Sequence, residues 1–346
     1  MTTHRAEIVE SGIRSILHKL DFSAFDRKRL FITGGTGFFG FWLLAALDLL
    51  RNEGVDLQVK VLSRDPAKFL ENHPRWRNLK WLHFVQGDVK SFDIPVFQFD
   101  YLIHAATDTS RAAHADSLSI FADIVDGSRR VLDYAVRCEV QRALFASSGA
   151  VYGPQPVGLD RIPDEAQIAC FTNESSSAYG EGKRVMEFMA GAYAEKYQFK
   201  SVSARCFAFV GPGLALDQHF AIGNFIRDAL YENQIRINGD GRAVRSYLYG
   251  ADLAIWLLKI LISGDSQSSY NVGSDHYLDT KQLAELIRDE LAPGKEIIIE
   301  MNRSAELTPR SVYVPSIDKA KKYLDLDVWT QLPAAIRATA NYWKSN

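Results

Sequence analysis

The stretch that decides the fold is RLFITGGTGFFG, residues 29–40. Its first residues, RLFIT, are mostly apolar and predict a buried strand, and FWLLAALDLL at 41–50 predicts a helix. Between them, Gly34, Gly37 and Gly40 stand three residues apart. A glycine turn between a strand and a helix lets backbone amides approach a phosphate, and the start of the helix adds partial positive charge. This order predicts a dinucleotide-binding βα unit, with GxxGxxG spacing rather than GxGxxG.

Further short apolar runs follow this unit, and helical stretches such as 117–138 lie between several of them. Strands that alternate with helices predict right-handed crossovers and a parallel sheet covered on both faces. We therefore expect an α/β fold with a doubly wound, parallel-sheet Rossmann domain. The apolar runs lie at 57–63, 81–88, 99–106 and 142–148.

The domain organisation follows from where this alternation weakens, after about residue 200. Residues 5–20 carry apolar side chains at helical spacing, which predicts a helix before the main fold. No linker or repeat separates the later part, so we expect it to pack closely on the first. The predicted parts are an N-terminal helical extension (1–28), an NAD(P)-binding domain (29–205, with parts of 240–275 returning to it) and a smaller, mainly substrate-binding α/β part (206–346).

Composition excludes several classes of function. The 346 residues are 47% hydrophobic and 24% charged, with a net charge of −2, so no basic surface points to nucleic acid. Three scattered cysteines give neither a disulfide framework nor a metal site, which fits a reducing cytoplasm. The most apolar segment, 37–50, is too short to span a membrane and contains Asp48. We expect a cytoplasmic protein with no nucleic-acid, membrane or metal partner.

A second motif, SSSAYGEGK at 175–183, carries the candidate chemistry. Tyr179 and Lys183 are four residues apart, which puts both on one face of a helix. A nearby ammonium and an oxidised nicotinamide would favour the phenolate of a tyrosine, whose pKa is otherwise about 10. Ser147 and Ser148 end the strand predicted at 142–148, at the sheet edge that borders the ligand crevice. Hydroxyls there can bond a substrate oxygen while Tyr179 exchanges a proton and the cofactor exchanges hydride.

The end of the second predicted strand bears on the choice of cofactor. Ser63 ends that strand and Arg64 follows it. A carboxylate at this point bonds the ribose 2′-hydroxyl of NAD, whereas an arginine accommodates the 2′-phosphate of NADP. Arg64 therefore favours NADP(H), with NAD possible and a solvated surface arginine as the alternative. Asp88, at the end of the third strand, either contacts the adenine or starts a turn.

In this order and spacing, the motifs resemble the extended short-chain dehydrogenase/reductase family, in the branch that acts on nucleotide sugars. The resemblance also covers HAAT (104–107), SSGAVYG (147–153), RCFAFVGPG (205–213), GDGRAVRSYLYGADLA (239–254) and YNVGS (270–274). It implies that Ser148 is the catalytic hydroxyl, that Tyr179 is the acid/base, and that Lys183 tunes Tyr179 and holds the nicotinamide ribose. The cofactor-binding residues that it implies are Gly34, Thr36, Gly37, Phe38, Phe39, Gly40, Ser63, Arg64, Asp88, Val89, His104, Ala105, Ala106, Tyr179 and Lys183.

The resemblance also implies a binding site for a nucleoside-diphosphate sugar. Arg245 would meet the diphosphate, with Arg310 as a weaker candidate for the same contact, and Asn224 and Arg236 would line the nucleotide site. For Asn224, Arg236 and Arg310, a structural or solvated role fits equally well. A strand-end histidine such as His104 is more often a structural hydrogen-bonding group than a proton carrier. The substrate candidates are Thr107, Ser147, Ser148, Asn224, Arg236, Arg245 and Arg310.

Gly149 and Ala150 narrow the reaction. In this family, 4,6-dehydratases carry Asp-Glu after the catalytic hydroxyl and decarboxylases keep a glutamate there. Glycine and alanine cannot exchange such protons, so we expect hydride chemistry at C4. Arg64 favours NADPH-dependent reduction of a 4-keto-6-deoxy sugar, and a 4-epimerase is the alternative. A non-catalytic dinucleotide sensor and a reductase of small non-nucleotide carbonyl compounds are the other classes that we consider.

Two departures from the family pattern point to an uncommon substrate or subfamily. Ala208 stands where an asparagine usually contacts substrate, and Ile124 replaces another asparagine. The family usually dimerises through two long helices, which implies a homodimer built on the helices around 117–138 and 178–196.

Overall fold

A seven-stranded parallel sheet forms the centre of the molecule. The structure, a computed structural model, describes residues 3–108, 110, 114–218, 220–300 and 311–344. Its strands are β1 (Lys28–Thr33), β2 (Leu57–Ser63), β3 (Leu82–Gln86), β4 (Tyr101–His104), β5 (Arg142–Ser148), β6 (Lys200–Cys206), β7 (Phe209–Val210), β8 (Gln234–Asn238), β9 (Val244–Ser246), β10 (Leu248–Tyr249), β11 (Ser268–Val272), β12 (Tyr277–Asp279), β13 (Glu296–Glu300) and β14 (Val312–Tyr313).

The order of strands in the central sheet is β11-β6-β5-β4-β1-β2-β3. The chain starts in the interior at β1, winds outward to β3, and then returns to β4 and continues to the other edge. This reversal puts a ligand crevice at the carboxyl ends of β1 and β4. The predicted doubly wound Rossmann fold is confirmed.

Helices cover both faces of the sheet. They are α1 (Thr3–Leu17), α2 (Phe38–Asn52), α3 (Pro66–Asn72), α4 (Ser117–Arg137), α5 (Ala178–Tyr197), α6 (Ala221–Tyr231), α7 (Gly250–Ser263), α8 (Thr280–Leu291), α9 (Asp318–Leu324) and α10 (Leu332–Lys344). Adjacent residues of β1 show the two layers: Phe31 belongs to the core cluster that includes side chains of α4 and α5, and Ile32 to the cluster with α2 and α7.

The helix before the main fold is part of the core. Val9 and Ile13 of α1 are fully buried, and α1 packs on α2, α7 and α10. Arg5 Nε donates to the carbonyl of Tyr342 in α10 at 2.8 Å.

The later part of the chain adds three small sheets: β7 with β10, β9 between β12 and β14, and β8 with β13. It is tied to the first part by Trp42 of α2, whose Nε1 donates to the carbonyl of Pro212 at 3.1 Å. Gly250 lies against the same indole, since a Cβ there would come within 2.2 Å of Trp42. The domain limits expected from the sequence stay predictions.

None of the helices in the described ranges is both long and apolar enough to cross a membrane.

Candidate functional site

A cavity of about 310 Å³ opens at the carboxyl ends of β1, β2 and β4. The glycine turn forms one wall, and residues from the loops after β2, β3 and β4 and from α4 form the others. The lining residues are Thr33, Gly34, Thr36, Gly37, Leu62, Ser63, Arg64, Gly87, Asp88, Val89, Lys90, Ala105, Ala106, Thr107, Asp108, Ile120, Asp123 and Ile124.

The glycine turn fits the pyrophosphate of a dinucleotide. Gly34 has φ +73°, and a Cβ on it would lie 2.5 Å from the backbone of Ala105, so close packing requires glycine there. At Gly37, by contrast, a Cβ would meet only the Gly34 oxygen, at 3.5 Å, and the side towards the cavity is open. No side chain caps the first amides of α2. These amides and the partial positive charge of the helix start are therefore available to an anion.

The other predicted cofactor residues of this turn contribute in different ways. A Cβ on Gly40 would lie 2.2 Å from Gly35, so this glycine packs the helix against the turn. Phe38 and Phe39 do not line the cavity with their rings: the two rings pack together, and Phe39 meets Phe209 at a centroid distance of 5.1 Å.

Charged side chains meet at the β2 side of the cavity. Arg64 Nη2 lies 3.7 Å from Asp108 Oδ2. Thr36 Oγ1 and Ser63 Oγ share a hydrogen bond of 2.9 Å in the same wall. No sequence pattern pointed to Asp108 as a partner of Arg64. The ion pair means that Arg64 already has an acidic partner at the cavity wall.

His104 lies behind the cavity wall. It is buried, its Nδ1 shares a hydrogen bond of 2.7 Å with Thr33 Oγ1, and its Nε2 lies 3.2 Å from Ser128 Oγ. Burial, followed by the charge of Lys183, lowers the pKa of His104 to about 3. The ring is therefore neutral and ties β1, β4 and α4 together. A contact of His104 with the cofactor stays a prediction.

Beside the cavity, Ser148, Tyr179 and Lys183 come together. Ser148 ends β5, and its Oγ accepts a hydrogen bond from the amide of Ala150 at 3.1 Å. Lys183 Nζ donates to Thr107 Oγ1 at 2.8 Å and to the carbonyl of Ala146 at 2.7 Å, and it lies 5.9 Å from the centre of the Tyr179 ring. Thr107 thus links the lysine to the cavity.

Burial decides the protonation of this cluster. It raises the pKa of Tyr179 to about 12, and a hydrogen bond with Ser148 offsets only part of the rise. Burial also lowers the pKa of Lys183 to about 8. At neutral pH, Tyr179 holds its proton and Lys183 is mostly charged.

Two aromatic residues that the sequence analysis missed close the site beside Gly149. A Cβ on Gly149 would lie 2.6 Å from Tyr313 Oη and 2.7 Å from Phe207 Cζ. The two rings pack with their centroids 4.5 Å apart. No side chain fits at position 149 while Tyr313 and Phe207 keep these places. Phe207 stands within the quoted RCFAFVGPG motif, and Tyr313 ends TPRSVY (308–313), the stretch that contains Arg310, but neither aromatic residue was singled out.

Ser147 does not join the site. Adjacent residues of a strand point to opposite faces of the sheet. The Ser147 hydroxyl donates to Glu187 Oε1 at 2.5 Å, and Glu187 Oε2 is paired with Arg205 Nη2 at 2.7 Å. The expected substrate contact of the Ser147 side chain is therefore replaced by a structural one between β5, β6 and α5.

Thr107 and Ser148 belong to this site, and of the remaining substrate candidates only Arg245 is connected to it through described contacts. Its guanidinium lies 5.7 Å from the centre of the Tyr313 ring and donates to the carbonyl of Ser311 at 3.1 Å. Arg236 is paired with Glu300 at 2.9 Å, on the separate β8–β13 sheet. Asn224 is half-buried in α6, and Arg310 lies outside the described residues.

A family model described as the NAD dependent epimerase/dehydratase family matches residues 30–273. The chain belongs to this family. Among curated proteins, UDP-glucuronic acid decarboxylase 1 of Xenopus tropicalis is 28% identical over 323 residues, which are 92% of this chain and 73% of the relative. The family match confirms the resemblance found in the sequence and identifies the chain as an enzyme that uses a nicotinamide dinucleotide.

Solved structures of this family share the fold. A UDP-glucose 4-epimerase of Thermotoga maritima with UDP-glucose has a TM-score of 0.76 at 22% identity, covering 91% of this chain and 98% of its own. A dTDP-glucose 4,6-dehydratase of Streptomyces venezuelae with NAD bound has a TM-score of 0.77 at 22% identity, covering 92% of this chain and 97% of its own. Within the part of this chain that the structure describes, no three His, Cys, Asp or Glu side chains are grouped to hold a metal.

Proposed function

We propose that this member of the epimerase/dehydratase family transfers hydride at C4 of a nucleoside-diphosphate sugar, and that it reduces a 4-keto-6-deoxy sugar with NADPH. The observation that carries the proposal is the packing around Gly149, where Tyr313 Oη and Phe207 Cζ lie 2.6 Å and 2.7 Å from the position of a Cβ. By the family resemblance, this is where acid/base side chains of the dehydratases act on C5 and C6. The filled space supports a reaction confined to C4.

The protonation of the cluster suits reduction. When bound, the nicotinamide supplies or accepts the hydride. Tyr179, whose pKa burial raises to about 12, holds a proton to give to the C4 oxygen. Ser148 donates a hydrogen bond to the same oxygen, and Lys183 is held beside them by Thr107 and Ala146. A positioned proton donor of this kind typically contributes about 10²–10⁴-fold to the rate.

Arg245 is the proposed contact for the diphosphate. It is half-buried, and burial lowers its pKa, which an anionic ligand would counteract. The UDP-glucuronic acid decarboxylase and the two structural relatives are named for nucleotide sugars, which supports this substrate class.

A 4-epimerase is the second candidate, and the Arg64–Asp108 ion pair favours it. An arginine that is already paired offers less to a 2′-phosphate, and a 4-epimerase works with NAD that it retains. The cofactor choice thus separates the two proposals.

The homodimer implied by the family resemblance is also proposed. Leu118 of α4 and Phe188 of α5 are 84% and 74% exposed, which suits an interface built on these helices. Light scattering of the Phe188→Asp variant checks it: we expect a monomer, and an unchanged mass would contradict an interface at Phe188.

The function is tested by mixing the purified protein with NADPH and a nucleoside-diphosphate 4-keto-6-deoxyhexose and following the absorbance of the reduced nicotinamide. We expect stoichiometric NADPH loss, which falls about 10²–10⁴-fold in Tyr179→Phe. Tyr193→Phe is the control, because this tyrosine is on the same helix but bonds Asp133. No NADPH loss, together with bound nicotinamide released only on denaturation, would favour the epimerase.

A further inference from the structure

The ammonium of Lys183 is held between two strand ends by acceptors of different kinds. Its Nζ lies 2.7 Å from the carbonyl oxygen of Ala146 in β5 and 2.8 Å from Thr107 Oγ1, in the loop after β4. Lys183 is only 2% exposed, so these protein atoms supply its acceptors in place of water. Any residue at position 146 offers a backbone carbonyl, whereas the contact with Thr107 depends on its side chain.

The direction of each hydrogen bond at the Thr107 hydroxyl is fixed by chemistry. An ammonium has three donors and no acceptor, so Lys183 donates and Thr107 Oγ1 accepts. The hydroxyl donates its own hydrogen to the carbonyl of Ala106 at 2.9 Å. Of the hydroxyl, one lone pair then remains, and Thr107 lines the cavity. A ligand group that meets this hydroxyl must therefore be a donor.

The same count leaves one hydrogen of the Lys183 ammonium. Two of its three hydrogens are taken by Ala146 and Thr107. The Met186 sulfur lies 4.0 Å from Nζ and is a weak acceptor. Because the three hydrogens of an ammonium have fixed angles to one another, the two strong acceptors also set the direction of the third. This third hydrogen is the one that a bound ligand can accept.

We propose that Thr107 is a positioning residue for Lys183, whose hydroxyl accepts from the ammonium and, with the Ala146 carbonyl, aims the third hydrogen. A hydroxyl is required at this place because a buried ammonium that loses an acceptor is left with an unsatisfied donor. Only the use of Lys183 in hydride transfer rests on the proposed function.

Loss of the Thr107 hydroxyl should disfavour the charged form of Lys183 and lower its pKa. In the described part of the chain, the titratable groups that face Lys183 are Tyr179 and Glu187 on its own helix, Cys206 of β6 and His104 of β4. Thr107→Val changes none of them, since it keeps the shape of the side chain and removes only the hydroxyl. A fall in the Lys183 pKa in this variant therefore reports the lost acceptor.

The test is a pH titration by NMR of the full chain, labelled with ¹³C at lysine Cε, with the Lys183 signal assigned from Lys183→Met. In Thr107→Val we expect the Lys183 pKa to fall by about one unit, and likewise in Thr107→Ala, which serves if the valine variant does not fold. Thr107→Ser keeps a hydroxyl and should keep the wild-type pKa. Thr36→Val is the matched control, since Thr36 lines the same cavity but shares its hydrogen bond with Ser63.

Cofactor binding tests the direction of the third hydrogen. In Thr107→Val we expect NADP⁺ and NAD⁺ each to bind about 3–10-fold more weakly by isothermal titration calorimetry. In the Lys183→Met background, the same substitution should cause no further loss. An equal loss in both backgrounds would mean that Thr107 acts on the cofactor without Lys183, which would overturn the positioning role.

An unchanged Lys183 pKa in Thr107→Val and Thr107→Ala, or an equal fall in Thr107→Ser or Thr36→Val, would also overturn the proposal. None of these measurements uses a sugar or NADPH. A protein that shows the expected shifts but never consumes NADPH would therefore contradict the proposed reaction and leave the role of Thr107 standing.

Discussion

At the scale of single residues, we expect Arg64 and Asp108 to determine the affinity of the cavity for a 2′-phosphate. The carboxylate lies 3.7 Å from the guanidinium, and both side chains line the cavity. Asp108→Asn removes a negative charge that would repel the 2′-phosphate, and it frees Arg64 from its ion pair. We therefore expect NADP⁺ to bind about 2–5-fold more tightly, while the affinity for NAD⁺ changes little. Isothermal titration calorimetry with each nucleotide measures both affinities.

The control for this prediction is Asp123→Asn, which removes another acidic side chain of the same cavity, one paired with Lys90 at 2.6 Å. Equal tightening in both variants would mean that only the total charge matters. In Arg64→Ala, the effect of Asp108→Asn should vanish. If Asp108→Asn instead weakens NAD⁺, Asp108 binds the ribose directly.

Lys183 makes the stability of the protein depend on pH. Burial lowers its pKa to about 8, below its ordinary value of 10.5, so the folded chain releases this proton before the unfolded chain does. Between about pH 8 and 10.5 the unfolded state binds more protons, and the contribution of Lys183 to stability rises with pH. Over this range, we expect wild type to gain up to about 3 kcal/mol relative to Lys183→Met.

Urea unfolding of both proteins at several pH values measures this difference, and parallel pH profiles would refute it. The same titration removes the ammonium beside Tyr179. We therefore expect kcat/KM for reduction to fall above about pH 8.

The residues of the site differ in how far sequence predicts them. Tyr179 and Lys183 are one helical turn apart, so a local pattern reveals that they share a face. Ser147 and Ser148 look equivalent in sequence, and only the alternation of β5 shows which one faces the site. Tyr313 lies against Gly149 through a tertiary contact that no local spacing encodes.

At the scale of elements, the contact between α2 and the start of α7 is sensitive to a single methyl group. A Cβ on Gly250 would lie 2.2 Å from the Trp42 indole. Trp42 is fully buried and bonded to Pro212, so it cannot move aside without loss. We expect Gly250→Ala to lower the free energy of unfolding by about 1–3 kcal/mol, measured by chemical denaturation.

Gly191→Ala is the matched control. This glycine is inside α5, and a Cβ on it would meet nothing within 4 Å. Alanine favours helix by about 1 kcal/mol over glycine, so this variant should be as stable as wild type or more stable. A similar loss in both variants would show that the Trp42 contact is not the cause.

Five strands of the central sheet, β1 to β5, were predictable because each carries its own signal. A buried parallel strand is a continuous apolar run, and the crossover helices repeat apolar residues at 3.6-residue spacing. The small sheets were not predictable in the same way. The strands β7 and β10 have only two residues each and pair across a long stretch of chain, so their pairing depends on tertiary packing.

At the scale of the whole molecule, α1 is a structural part of the fold. Val9, Ile13, Ile16 and Leu17 are each no more than 3% exposed. Their burial is worth about 6–12 kcal/mol together, which is comparable to the entire stability of a typical protein. A chain that lacks residues 1–20 is therefore expected to be insoluble or unfolded, as judged by circular dichroism and solubility.

A milder variant tests the same point in a protein that folds. Ile13→Ala should lower the free energy of unfolding by about 2–5 kcal/mol. Ile8→Ala, at a half-buried position of the same helix, should cost clearly less. Equal losses would mean that α1 does not contribute through its buried face.

The packing of α1 on α2, α7 and α10 has a consequence for the synthesis of this protein in a cell. Two of its three partners, α7 and α10, are translated late. At about 5–20 residues per second, roughly 20–60 s pass on the ribosome between the synthesis of α1 and that of α10. During that interval the apolar face of α1 lacks the partners that cover it in the folded protein. During synthesis the buried face of α1 therefore stays without two of its partners, whereas refolding from denaturant presents all three partners at once.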